Sequence, residues 1–175
     1  MTDILRHPRL QLRFLYLAVF TGGMTTLAVE LSAARLLGNV YGTSNMVWAN
    51  IIGLILIYLT IGYFIGGKLA DRFPYPRTFY QVVAWAAFFS GLVPLFARPI
   101  LRAAATAVQD FNAAGTVGSF ISVLVLFAVP ITLLGCISPF AIRLALADVD
   151  RAGNVSGRMY AISTLGSIIG NFAPV

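Results

Sequence analysis

The stretch Gly62-Tyr-Phe-Ile-Gly-Gly-Lys-Leu-Ala-Asp-Arg72 decides the fold class of this chain. It closes a long apolar run with two adjacent glycines and then a charged cluster of Lys68, Asp71 and Arg72. A charged cluster directly after an apolar segment is typical of a helix that leaves a membrane, and a basic excess indicates the cytoplasmic side. The direction of this segment therefore sets the predicted direction of every other segment.

The composition of the whole chain also indicates an integral membrane protein. Of its 175 residues, 59% are hydrophobic and only 10% are charged, whereas a soluble domain carries about 25% charged residues. The formal net charge of +6 is explained by the basic loops that membrane proteins keep in the cytoplasm. Nucleic-acid binding would require a basic face with interleaved aromatic residues, and the sequence has no such stripe.

Five apolar segments follow one another along the chain, and a membrane span needs about 20 such residues. We therefore predict an all-α fold, a polytopic transmembrane helix bundle in contact with the lipid bilayer. A basic cytoplasmic arm at residues 1–12 precedes the bundle, and the last span is expected to be truncated. The predicted spans lie at about residues 14–37, 44–67, 78–97, 116–144 and 158–175.

Basic residues are concentrated in the N-terminal arm and in the even-numbered loops. These parts of the chain contain Arg6, Arg9, Arg13, Lys68, Arg72, Arg77, Arg143, Arg151 and Arg158. The positive-inside rule places them in the cytoplasm, which predicts a multi-pass protein of the inner or plasma membrane. Residues 98–116, after the third span, are expected to form a short helix on the outer surface, while Pro74 and Pro76 are expected to end helices.

Glu30 is the most informative polar residue within a predicted span. A carboxylate at the centre of a membrane costs about 3 kcal/mol or more, so it should face the bundle and find a partner. If the first two spans form a hairpin around residue 40, Asn50 lies level with Glu30, and a hydrogen bond between them is one expectation. A basic partner from a later helix, a protonated carboxyl group, and a role in proton or substrate handling are the alternatives.

The sequence contains few other features that indicate packing or chemical function. The spacing of Gly62 with Gly66, and of Gly166 with Gly170, predicts close helix packing. No residues have the spacing of a catalytic, metal-ligating or cofactor-binding site, so we predict no catalytic residue, metal ligand or cofactor in these residues. Besides Glu30 and Asn50, the candidate functional or structural polar residues are Arg35, Asp71, Arg72, Arg143 and Asn171.

Four segments together resemble the membrane domain of spermidine-synthase-like integral membrane proteins. They are Leu27-Ala-Val-Glu-Leu-Ser-Ala-Ala-Arg-Leu-Leu-Gly38, Gly62–Arg72, Gly135-Cys-Ile-Ser-Pro139 and Gly157-Arg-Met-Tyr-Ala-Ile-Ser-Thr-Leu-Gly-Ser-Ile-Ile-Gly170. The resemblance extends from about residue 20 to the end of the sequence. The positions that match are Glu30, Arg35, Gly67, Asp71, Arg72, Pro139, Gly157 and Tyr160.

This resemblance implies a helix bundle that precedes a soluble, Rossmann-like domain of the aminopropyltransferase type. In the family, that domain binds decarboxylated S-adenosylmethionine and a polyamine through a glycine-rich loop and acidic residues. Those features do not occur in these residues, so no catalytic residue is carried over and enzyme activity stays open. The implied function is a membrane anchor or scaffold linked to polyamine metabolism, with a downstream soluble domain as its partner.

Two alternative functions remain open from the sequence. The first is an accessory structural subunit of a larger membrane complex, because a short bundle with small-residue faces can pack against other membrane subunits. The second is a transport module, because Gly67-Lys-Leu-Ala-Asp-Arg72 is similar to the inner-loop signature of major facilitators. The following Phe73-Pro-Tyr-Pro-Arg77 departs from that signature.

Overall fold

The structure is a computed structural model that describes residues 8–111, 113–146 and 151–173. These residues form five α-helices and no strand, which confirms the predicted all-α bundle. The helices are α1 (Pro8–Tyr41), α2 (Asn45–Arg72), α3 (Pro76–Ala107), α4 (Ala114–Ala145) and α5 (Ala152–Phe172). Helices α1 to α4 are long and apolar enough to cross a membrane. Helix α5, with 21 residues, does not reach the same hydropathy.

The connections between the first three helices are short because local signals end each helix sharply. Gly42 has a φ of 81°, a left-handed conformation that favours glycine, and its N–H donates to the Gly38 carbonyl at 3.0 Å. Ser44 then caps α2 by accepting a hydrogen bond from the Val47 N–H at 3.3 Å. Pro76 occupies the first turn of α3, where its missing N–H costs no helical hydrogen bond.

The helices extend beyond the apolar runs of the sequence. Residues 8–12 of the predicted arm are the first residues of α1, and residues 1–7 of that arm lie outside the described residues. The short surface helix expected at residues 98–116 is wrong, because residues 98–107 continue α3 to Ala107. Tertiary packing explains this extension, since Ala97, Leu101 and Ala104 are all buried at helical spacing.

Helix α4 is the centre of the bundle. In its apolar window 56% of the residues are buried, compared with 17 to 33% in the other three spans. Helix α3 packs antiparallel to it, so that Phe79 meets Phe140 near one end with ring centroids 5.7 Å apart. Helix α2 packs parallel to α4 on another side, since positions increase together along both helices, from Asn50 beside Thr116 to Gly66 beside Cys136.

Two glycines allow α2 and α4 to approach backbone to backbone. A Cβ atom added at Gly62 would clash with the carbonyl oxygen of Thr132 and lie 2.9 Å from the Cα of Gly135. A Cβ atom added at Gly66 would lie 2.6 Å from the Cα of Cys136. Side chains larger than hydrogen do not fit here, so the predicted small-residue pair forms an interface within the bundle.

Helix α5 also packs against α1 through close contacts at glycine residues. A Cβ atom at Gly166 would clash with the carbonyl oxygen of Phe20, and one at Gly170 would clash with that of Met24. Gly23 on α1 faces the backbone of α5 in turn, where an added Cβ atom would clash with the Ser163 carbonyl. The second predicted glycine pair therefore also forms an interhelical contact, and α1 and α5 run parallel.

The alternating helix directions gather most basic side chains at one end of the bundle, the end where α2 and α4 finish. The described basic residues at this end are Arg13, Lys68, Arg72, Arg77, Arg143, Arg151 and Arg158. Those toward the opposite end are Arg35, Arg98 and Arg102. From this asymmetry the positive-inside rule predicts that the first end faces the cytoplasm.

Site-directed labelling tests this orientation. Cys136 is the lone cysteine and is buried, so Cys136→Ala gives a cysteine-free background. In sealed right-side-out vesicles, a membrane-impermeant maleimide should label Thr43→Cys, between α1 and α2. It should label Tyr75→Cys, between α2 and α3, only after permeabilisation. The reverse pattern would invert the topology.

Adjacent glycines offer a matched test of the α2–α4 contact. Gly66→Ala should lower the stability of the bundle by about 2 kcal/mol, because the methyl group overpacks the contact with Cys136. Gly67→Ala should be neutral or stabilise by up to about 1 kcal/mol, because no atom lies within 4 Å of its added Cβ. Size-exclusion chromatography after heating in detergent gives both midpoints. Equal midpoints would contradict the close contact.

Candidate functional site

A cavity of about 210 Å³ lies near the middle of the bundle, where α1, α2, α4 and α5 meet. Its apolar walls include Val19, Leu27, Leu59, Leu134 and Ile137. Its polar lining consists of Thr26, Glu30, Tyr63, Ser138, Ser163 and Ser167. A small cavity that combines apolar walls with a few convergent polar groups has the character of a ligand site.

Glu30 enters this cavity because the wall is one face of α1. The lining residues of α1 begin at Val19 and recur at intervals of three and four until Glu30, which is the spacing of a single helix face. Glu30 stands 11 residues before the end of α1 at Tyr41, or about 16 Å along the axis. The carboxylate is therefore well inside the predicted span and partly buried.

The carboxylate of Glu30 makes no hydrogen bond and no ion pair within the part of the chain that the structure describes. The hydroxyl groups of Tyr63, Ser138 and Ser163 also lack a hydrogen-bond partner there. One cavity thus gathers an acidic group and three hydroxyl groups whose bonding capacity is unused. Polar groups at membrane depth are costly unless they are satisfied.

Two further hydroxyl groups of the lining are held by the helix backbones. The Thr26 hydroxyl donates to the Gly22 carbonyl at 2.9 Å, and the Ser167 hydroxyl donates to the Gly23 carbonyl at 3.0 Å. The second bond crosses from α5 to α1 and reinforces the glycine contact between these helices. Both oxygens keep lone pairs that can accept a hydrogen bond from a group inside the cavity.

The four segments that carry the family resemblance all reach this cavity. Glu30 comes from the first segment, Tyr63 from the second, Ser138 from the third, and Ser163 and Ser167 from the fourth. These segments are distant along the chain and meet only in the folded bundle. Residues of all four segments therefore line the same cavity.

Asn50 does not pair with Glu30, so the hydrogen bond expected between them is wrong. Its side-chain amide instead donates to the Thr116 carbonyl at 2.8 Å and to the Ser119 hydroxyl at 2.9 Å, both on α4. Asn50 is directed away from Glu30 because α2 packs along α4 rather than along α1. Asn50 is a structural residue that joins α2 to the central helix.

Tyr41 has a comparable structural role at the C-terminal end of α1. Its hydroxyl donates to the Leu101 carbonyl on α3 at 3.1 Å and lies 2.8 Å from the Ser122 hydroxyl on α4. Its ring packs against Gly118, where an added Cβ atom would lie 2.5 Å from a ring carbon. Tyr41 thus joins three helices at the end of the bundle opposite to the basic one.

Asp71 and Arg143 form an ion pair at the basic end of the bundle. Arg143 Nε donates to Asp71 Oδ1 at 3.1 Å and joins the ends of α2 and α4. The guanidinium of the neighbouring Arg72 lies 5.6 Å from the ring centroid of Phe73. Three of the candidate polar residues thus lie at this end of the bundle, and none of them lines the cavity.

The last two candidate residues also lie outside the cavity. Arg35 is exposed in the C-terminal part of α1 and is not without an interaction partner. Asn171 is half-buried near the end of α5. Neither residue contributes to the lining around Glu30. Of the predicted polar residues, Glu30 alone belongs to the cavity.

The hydroxyl residues of the cavity were not among the predicted site residues. A signal for two of them exists in the sequence, because Ser163, Gly166, Ser167 and Gly170 share one helix face at spacings of three and four. Small residues on such a face predict a close interhelical contact, and serines within it are expected to line the contact. Tyr63 and Ser138 have no comparable signal.

Among the described residues, no three His, Cys, Asp or Glu side chains come close enough to hold a metal ion. Comparison of the chain with protein-family models, with curated proteins and with solved structures gives no match.

Truncation of Asn50 tests its structural assignment. Asn50→Ala should lower the stability of the bundle by about 1 kcal/mol, because interhelical hydrogen bonds in membranes contribute about 0.6 to 1.7 kcal/mol. Asn45→Ala, at an exposed position one turn earlier, is the matched control and should change stability little. Heating in detergent followed by size-exclusion chromatography compares them. A larger loss in the Asn45 variant would contradict the assignment.

Proposed function

We propose that this chain is the membrane domain of a spermidine-synthase-like protein and acts as an anchor and scaffold for a soluble domain. Four long apolar helices fit the anchor part of this proposal. The basic end, where α2 and α4 finish, is the cytoplasmic face by the positive-inside rule. A soluble domain following such a bundle would be held close to the bilayer.

The observation that carries the proposal is the convergence of the four resembling segments on one cavity. Segments that merely shared an apolar composition with the family would have no reason to meet at one place. Here they contribute both sides of the glycine contact between α2 and α4, the α5 side of the contact with α1, and most of the polar lining between them. This arrangement favours a specific membrane domain over a generic anchor.

A second candidate function is that of an accessory subunit in a larger membrane complex. A mainly apolar groove of about 540 Å³ between α1 and α3 supports it. Ser90 lines this groove, and its hydroxyl is buried without a hydrogen-bond partner among the described residues. A face of small residues on another spanning helix would pack closely into the groove.

The proposed function is tested on the native polypeptide purified from its own membranes. Its intact mass should exceed the 18.8 kDa of these 175 residues by tens of kilodaltons. Membranes that contain it should convert decarboxylated S-adenosylmethionine and 1,4-diaminobutane into methylthioadenosine and spermidine. Membranes from cells that lack the protein are the control.

The two functions predict different results in this experiment. A mass of 18.8 kDa without aminopropyl transfer would contradict the first proposal. Stoichiometric co-purification with a larger assembly, retained through detergent washing, would then support the accessory subunit. A monodisperse free bundle without activity would contradict both.

A further inference from the structure

We infer that the cavity around Glu30 is a binding site for a small organic ammonium ion. The observation behind this inference is the unpartnered carboxylate together with three unpartnered hydroxyl groups that line the same space. The inference goes beyond the proposed scaffold function and does not rest on it. The cavity belongs to the bundle whether or not the polypeptide carries a catalytic domain.

The charge of the ligand follows from the carboxylate. An ionised carboxylate within a span is stable only when a positive charge or strong hydrogen-bond donors compensate it. No basic side chain lines the cavity, and Glu30 forms no ion pair within the described residues. A cationic ligand that donates hydrogen bonds would supply both kinds of compensation.

The hydroxyl groups favour an ammonium group with N–H donors. A primary ammonium has three donors, and the carboxylate of Glu30 accepts one of them in a charge-assisted hydrogen bond. The free hydroxyl oxygens of Ser138, Ser163 and Tyr63 are acceptors for the others. A quaternary ammonium lacks these donors and would leave the hydroxyl groups unsatisfied.

The volume and the apolar walls favour an organic ligand over a bare metal ion. About 210 Å³ corresponds to roughly seven water molecules at about 30 Å³ each, so a single monovalent metal ion would leave most of the space unfilled. A short alkyl chain would instead pack against Leu27, Leu59, Leu134 and Ile137. Polar and apolar groups are thus arranged for a ligand with a charged head and an aliphatic body.

The cavity is not fully enclosed by the described residues. Tyr63 is 48% exposed, and Glu30 is itself only partly buried. Small residues, Gly22, Gly23 and Gly135, form part of the remaining wall.

Ligand-induced stabilisation of the full native polypeptide in lipid nanodiscs tests the inference. The probes are n-butylammonium, the uncharged 1-butanol of similar shape, tetramethylammonium and sodium, compared at constant ionic strength. Only n-butylammonium should raise the unfolding temperature in a dose-dependent way, because binding to the folded state stabilises it. A response to sodium alone would overturn the inference in favour of a metal ion.

Variants locate the response at the cavity. Glu30→Gln keeps the shape but removes the charge, and it should abolish the response to n-butylammonium. Ser138→Ala should weaken binding about tenfold, the effect of one lost hydrogen bond to a charged group. Thr60→Ala is the control, because this exposed hydroxyl bonds only to the Leu56 carbonyl of its own helix, and its response should equal that of the wild type.

Each remaining outcome also decides the inference. Equal responses in the wild type and Glu30→Gln would overturn it, as would the absence of any response in the wild type. If Glu30→Gln fails to fold, Ser138→Ala and Ser163→Ala carry the test, and unchanged affinity in both would overturn it. Aminopropyl transfer and intact mass are measured separately. A negative result for ammonium binding therefore does not contradict the proposed function, which those two measurements test.

Discussion

Backbone contact between α2 and α4 is the constraint on which the rest of the bundle depends. Within a bilayer, lipid is as apolar as a leucine side chain, so helices gain little by hiding apolar surface and associate through close packing instead. Gly62 and Gly66 permit that packing against Gly135 and Cys136. Asn50 and Tyr58 add hydrogen bonds along the same interface. These contacts fix α4 as the central helix.

The central position of α4 explains the polar cavity. Because α2 packs against α4, the first two helices do not form a side-by-side pair. Helix α1 packs mainly against α5 instead. The small residues of that second contact, Gly23, Gly166 and Gly170, bring serines and Glu30 toward the same space. A carboxylate is thus placed beside hydroxyl groups rather than beside a basic residue.

The two ends of the bundle differ in how they are held. At the basic end, the pair of Asp71 and Arg143 is exposed, with side-chain accessibilities of 74% and 46%, and exposed pairs contribute at most about 1 kcal/mol. At the opposite end, Tyr41 and Asn50 make hydrogen bonds inside the bundle. The basic end therefore has charge available for the surface of the bilayer or a soluble domain, while the other end is joined internally.

The helical class, the number of helices and the turns near Gly42 and Pro74 could be predicted from the amino-acid sequence alone, although Pro76 begins α3 instead of ending a helix. These features follow from apolar run length, turn chemistry and proline geometry, which act locally. The sequence also identified Glu30 as an unusual residue and both glycine pairs as contacts. The outer extension of α3 was missed, because packing of Leu101 and Ala104 holds a segment that is too polar to be recognised as a span.

Which helices are neighbours could not be predicted from the sequence and follows from the folded bundle. The sequence places Glu30 and Asn50 at similar depth, but depth does not determine the partner of a helix, and Asn50 bonds to α4 instead. The same information was needed to gather Tyr63, Ser138 and Ser163 around Glu30. Hydropathy and charge indicate how far each residue lies from the membrane surface. They do not indicate which helix a given helix face contacts, because that choice depends on contacts between segments that are distant in the sequence.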